Sequence, residues 1–143
     1  MNSDTINLLK ECNAGCKNAT SSMEQVMGLV NDDKLKNLIS NYNDKHIEIG
    51  DECHNLLNKY GSDEKDPQTI TKVMSFVSTE VKMMNNNNSQ KAAEIMLDGC
   101  NMGIKTVSGY INKYKNADKE SKQMAEDLVK IEENFIEDLR PFL

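Results

Sequence analysis

The sequence predicts an all-α protein, a bundle of long helices in one domain. Three observations carry that class. Apolar residues recur at intervals of three and four along nearly the whole chain, the period of one helix face. The two prolines, Pro67 and Pro141, leave long uninterrupted stretches on either side, which does not suit a many-turned sandwich or barrel. The length of 143 residues fits a single domain with a single core.

The first segment, about 4–30, carries Leu9, Cys12, Cys16, Ala19, Met23, Val26 and Val30 at spacings that alternate between three and four, the seam of a bundle helix. Asn31 is the expected cap of the next helix, and Asp32 and Asp33 suit its positive end. That helix, about 32–60, puts Leu35, Ile39, Tyr42, His46, Ile49, Cys53, Leu56 and Tyr60 on one stripe, and Gly61 ends it. Ser62 to Asp66 read as a polar loop, and Asp66-Pro67 as an N-cap followed by a first-turn proline. Ile70, Val73, Met74, Val77, Val81 and Met84 then give a shorter helix, closed by the Asn85–Asn88 run. The next helix, about 89–115, carries Ala93, Leu97, Cys100, Ile104, Val107, Ile111 and Tyr114. After a turn at 116–118 the last helix carries Met124, Leu128, Ile131, Phe135 and Leu139, with Pro141 near its stop. The short turns make two antiparallel hairpins, 4–60 and 89–141, and the 61–88 segment is the crossover between them, containing an additional helix.

Composition narrows the function classes. Seventeen basic residues against 23 acidic ones give a net charge of −6, and Arg140 is the single arginine. Without a lysine run or guanidinium groups to read phosphates and bases, a nucleic-acid partner is not expected. No apolar run approaches the ~18 residues of a membrane span, and the amino terminus shows no basic, apolar leader. The four cysteines therefore read as thiols of a cytoplasmic protein rather than as staples of a secreted one. No Gly-rich phosphate loop, Ser-His-Asp order or Glu-x-x-His pair is present, so nothing carries a hydrolase or nucleotide chemistry.

The chain also repeats itself. Leu9-x-x-Cys12-Asn13-x-Gly15-x-Lys17 recurs as Leu97-x-x-Cys100-Asn101-x-Gly103-x-Lys105, five identities in nine positions. A duplicated hairpin would account for it, with Gly15 and Gly103 marking a close approach of two helices.

Two hairpins, a long crossover and this repeat resemble the ferritin-like four-helix bundle. The pattern Leu9-x-x-Cys12-x-x-Gly15, Leu38-x-x-x-Tyr42 and Cys100-x-x-Gly103 is similar to one small bacterial branch of about 140–150 residues that carries a domain-of-unknown-function label. The resemblance covers essentially the whole chain. What it implies about chemistry is mostly negative. Iron-carboxylate members place a Glu midway along two helices and Glu-x-x-His on the other two. Here those places hold Cys16, Ile104, Asn43-x-x-His46 and Ile131-x-x-Asn134, so of that ligand set His46 alone is retained. Iron and ferroxidase or oxygenase activity are not expected, and a carboxylate-bridged diiron oxidoreductase remains only as a remote alternative.

The remaining candidates are Cys12, Cys16, His46, Cys53 and Cys100, all on core stripes. Folding the first hairpin at 31–32 puts His46 level with Cys16 and Cys53 level with Cys12, with Cys100 about one turn away. Thiolate and imidazole suit zinc or copper(I), and two thiols can form a reversible disulfide. Cys equally serves as a small buried apolar residue, and a neutral core histidine needs only a Tyr or Asn partner, with Asn13 and Thr20 flanking the seam. Glu132, Glu133, Glu137 and Asp138 read as a solvated acidic face. The expected function is that of a non-catalytic structural or interaction protein without a cofactor, whose partner is an unidentified protein or a second copy. The alternative is a thiol/imidazole metal-binding or redox protein using the core Cys and His.

Overall fold

The computed structural model describes residues 2–62 and 88–143. Over these the chain is all-α, with α1 (Ser3–Met27), α2 (Asp33–Lys59), α3 (Ser89–Lys113) and α4 (Lys119–Leu139) followed by a 3₁₀ turn at Arg140–Phe142. The helix expected at 68–84, with Pro67 and residues 85–87 of the asparagine run, lies outside the described residues.

Side-chain oxygens cap the starts of the four described α-helices. Asn2 accepts from the Thr5 amide, Asn88 from Lys91 and Asp118 from Ser121. The α2 cap is Asp32, which accepts from the Leu35 amide, one residue later than the Asn31 read from sequence. A charged acceptor at that place also meets the positive end of the helix dipole, which the asparagine amide would not do. At the far end of α2, Gly61 adopts φ 68°, and the Ser62 and Gly61 amides donate back to the carbonyls of Leu57 and Asn58. This is a Schellman stop, in which a left-handed residue satisfies the last open carbonyls.

The core runs the length of the bundle in two halves. One holds Met23, Val26, Leu35, Ile39, Ala92, Ala93, Met96, Phe135 and Leu139. The other holds Leu8, Leu9, Cys12, Cys53, Leu57, Val107, Met124 and Leu128. The start of α1, the end of α2, the end of α3 and the start of α4 therefore meet at one end. Hydrogen bonds lock that end: Asn2 Nδ2 donates to the Asn116 carbonyl at 2.7 Å, and the Asp118 amide donates to Thr5 Oγ1 at 2.8 Å. It follows that α1 is antiparallel to both α2 and α3, and that α2 finishes at the opposite end from where α3 begins. Among the described residues no helix is long and apolar enough to cross a membrane.

The stripes hold with local corrections. In α2 it is Leu57 that is fully buried, and Leu56 sits at the margin. The helix glycine pairing does not hold. A Cβ at Gly15 would meet nothing within 4 Å, whereas one at Gly50 would stand 3.2 Å from Cys16 Cβ. The close approach between helices is thus at Gly50 in α2, against Cys16 in α1.

Candidate functional site

The polar centre of the bundle is built by α2 and α4. His46 is 1% exposed and Glu132 6%, and the imidazole Nε2 is hydrogen-bonded to Glu132 Oε1. The other ring nitrogen, Nδ1, lies 2.6 Å from the Tyr42 carbonyl one turn back. A carbonyl can only accept, so Nδ1 carries a proton, and the ring faces the carboxylate with Nε2. Burial alone would lower the imidazole pKa, but the Glu132 hydrogen bond and charge, helped by the Tyr42 carbonyl, outweigh it and leave the pKa above its ordinary value. The Glu132 contact therefore favours the protonated imidazole over the neutral one.

Gly103 makes room for this pair. A Cβ there would stand 3.3 Å from Glu132 Oε2, so a bare helix backbone on α3 lets the carboxylate lie against it. Tyr42 is held in turn by a stack on Phe135, with ring centroids 4.3 Å apart, and by donating to Asp138 Oδ2 at 2.6 Å. Burial, followed by Asp138, pushes the Tyr42 pKa well up, so the phenol stays a donor. Asn43, three residues before His46, is buried with its Oδ1 unpartnered.

Two expectations are overturned here. Glu132 is not part of a solvated acidic face, and the partner of His46 is this carboxylate rather than a Tyr or Asn side chain; Glu133, Glu137 and Asp138 are exposed as expected. The signal for Glu132 was present in the spacing, because it stands four residues after Leu128 and three before Phe135, on the buried ladder of α4. Reading Ile131 as the seam residue placed that ladder one position too early. His46 is also one turn away from Cys16, whose neighbour across the hairpin is Gly50.

The cysteines divide between two places. Cys100 on α3 belongs to the Tyr42–Phe135 half of the core, and burial, then the charge and hydrogen bond of Glu132, push its thiol far up. Cys12, Cys16 and Cys53 belong to the other half. Cys12 is hydrogen-bonded to Cys53, as the hairpin register predicted, and Cys53 donates to Met124 Sδ at 3.1 Å. That hydrogen bond and burial raise the Cys12 pKa, and burial with the nearby Cys53 and Glu132 raises that of Cys16. Cys12, Cys16 and Cys100 are therefore neutral thiols in the resting protein. All four cysteines are free. The sulfur of Met124, in sequence simply a seam residue, is the contact that periodicity could not show.

A dinuclear iron centre does not fit these donors. Such a centre draws carboxylates from all four helices, whereas among the described residues Glu132 is the one buried carboxylate and His46 the one buried imidazole. Nor, among the described residues, do three or more His, Cys, Asp or Glu side chains stand together in an arrangement that could hold a metal ion. Compared with known families, curated proteins and solved structures, the chain matches none.

Proposed function

We propose that the chain is a ferritin-like four-helix bundle, two antiparallel hairpins joined by a crossover with an additional helix, that works as a non-catalytic structural or interaction protein. The observation that carries this reading is the His46–Glu132 pair. The place where a ferritin-like enzyme gathers metal ligands holds one imidazole and one carboxylate turned on each other and backed by Tyr42 and Gly103. Both groups spend their hydrogen-bonding capacity inside the core, so they fix the packing of α2 on α4 rather than face a substrate. The topology supports the architecture, because α2 ends and α3 starts at opposite ends of the bundle, as a crossover between hairpins requires. The partner in this reading is another protein or a second copy; Ile47 on α2 and Met102 on α3 are large apolar side chains left exposed.

The test is anaerobic titration with iron(II), followed by admission of oxygen. The expected result is no stoichiometric iron uptake and oxidation no faster than in buffer, while His46→Ala and Glu132→Ala lose stability. A bound iron pair, or protein-dependent iron oxidation abolished in Glu132→Ala, overturns the proposal.

A further inference from the structure

We propose that the sulfur layer at the α1–α2–α4 junction is a binding site for copper(I), with Cys12, Cys53 and Met124 as its donors. The residues come from three different helices and meet inside the core: Cys12 on α1 is hydrogen-bonded to Cys53 on α2, and Cys53 to Met124 on α4. Two thiols and one thioether form a wholly soft donor set. Soft sulfur ligands select copper(I), whereas zinc sites are built from thiolate, imidazole and carboxylate and have no use for a thioether. Cys12 and Cys53 supply two of the donors, and the thioether of Met124 is the third.

A second observation points to a cation at the same place. Met124 also lines a surface groove whose other walls are Glu52, Lys119, Glu120, Gln123 and Asp127. Three carboxylates against one ammonium give that groove a negative potential, and Met124 forms part of its wall. Met124 is 7% exposed and Cys53 is fully buried, so the Met124 side chain stands between the groove and Cys53. The groove collects the ion, the thioether receives it and the thiols retain it.

The chemistry balances without a redox partner. Copper(I) takes the place of the proton on one thiol, Cu⁺ + R–SH → R–S–Cu + H⁺, and the proton leaves to solvent. The copper–thiolate unit is neutral, so no net charge is added to the core, and the second thiol and the thioether complete the coordination through lone pairs. The ion stays in the +1 state throughout. This inference does not rest on the reading of the His46–Glu132 pair, which stands two helical turns away along α2.

The experiment is anaerobic competition for copper(I), supplied as its acetonitrile complex, between the full chain and the chromogenic chelator bathocuproine disulfonate. The wild type is expected to withhold one equivalent and to show a thiolate-to-copper absorption in the ultraviolet. Met124→Leu conserves volume and removes only the sulfur; it and Cys12→Ala are expected to weaken retention by about tenfold or more while keeping the helical circular-dichroism signal. Met102→Leu, which removes an exposed thioether, and Cys100→Ala, which removes a thiol outside the layer, are expected to retain copper like the wild type. The proposal is overturned if the chelator strips the wild type completely. It is equally overturned if folded Met124→Leu and Cys12→Ala hold copper unchanged, or if zinc(II) is retained and copper(I) is not.

Discussion

The layer around His46 and the layer around Cys53 lie on the same helices, two turns apart on α2, and are equally dry, yet they hold their polar atoms on opposite terms. At His46 the groups are hard, directional and mutually saturated: the ring has an acceptor at each nitrogen, and the carboxylate lies between the imidazole and the bare backbone of Gly103. At Cys53 the groups are soft, polarizable and weakly bonded, a chain of sulfur contacts that cost little to rearrange. A buried ion pair is strongly coupled to its partner because losing one member strands the other charge. A buried thiol has no such dependent. The first layer is thus suited to fixing helix packing and the second to accepting a ligand.

The largest effect should come from breaking the hard layer. Glu132→Ala leaves the imidazole without its acceptor and is expected to lose ~3–5 kcal/mol of stability in urea unfolding, the range for stranding one member of a buried pair. Cys53→Ala removes a soft contact and should lose clearly less. Equal losses in the two variants would erase the distinction between the layers. The double variant His46→Ala with Glu132→Ala should lose less than the sum of the singles, since neither residue then leaves a stranded partner.

Between the two layers stands Gly50, whose added Cβ would lie 3.2 Å from Cys16 Cβ. A Cβ is fixed by the backbone and cannot swing away, so α1 and α2 would have to separate. Gly50→Ala is expected to lose ~1–3 kcal/mol, as overpacked core positions do. Because alanine keeps the Cβ, Cys16→Ala should give no rescue of Gly50→Ala. Rescue would show that the sulfur, not the backbone approach, sets the helix spacing.

A smaller, pH-dependent part of the first effect belongs to His46 itself. Burial lowers its pKa, but the Glu132 hydrogen bond and charge raise it more, so the folded-state value lies above the unfolded 6.5. The folded chain then binds the proton more tightly than the unfolded one. Its contribution is complete below about pH 6.5 and falls away as pH rises through the folded pKa. Unfolding free energies of the wild type and His46→Gln, measured from pH 6 to 9, should converge as pH rises. A gap that stays constant or widens would mean that His46 is neutral in the fold.

How much of this was legible follows from what periodicity encodes. The spacing of apolar residues placed α1, α2, α3 and α4, because a stripe of Leu, Ile, Val and Met is itself the cause of burial. Gly61 and Pro141 announced their stops through backbone chemistry that depends on one residue. Cys53 opposite Cys12 was readable because a short turn fixes the register of a hairpin. Glu132 was not, since a carboxylate on a stripe looks like a solvated residue until its partner, 86 positions away in sequence, is brought to it. Met124 failed differently: its position on the core was clear, but which atom it offers to which neighbour depends on a rotamer and on packing between helices. Gly103 needed both, because its bare backbone makes sense only once Glu132 is turned inward.

That last residue gives the finest test. Gly99 and Gly109 on α3 have open space where a Cβ would go, so Gly99→Ala and Gly109→Ala should each gain up to ~1 kcal/mol through helix propensity alone. Gly103→Ala carries the same propensity gain, but its Cβ would press the Glu132 carboxylate at 3.3 Å. The carboxylate can yield by a few tenths of an ångström only by shifting against His46. Gly103→Ala should therefore gain less than its two neighbours, or lose outright. In a Glu132→Ala background the obstruction is gone, and the substitution should regain the full gain seen at Gly99. If Gly103→Ala stabilises the wild type as much as Gly99→Ala does, the carboxylate does not lie against α3 and the hard layer is looser than its hydrogen bonds imply.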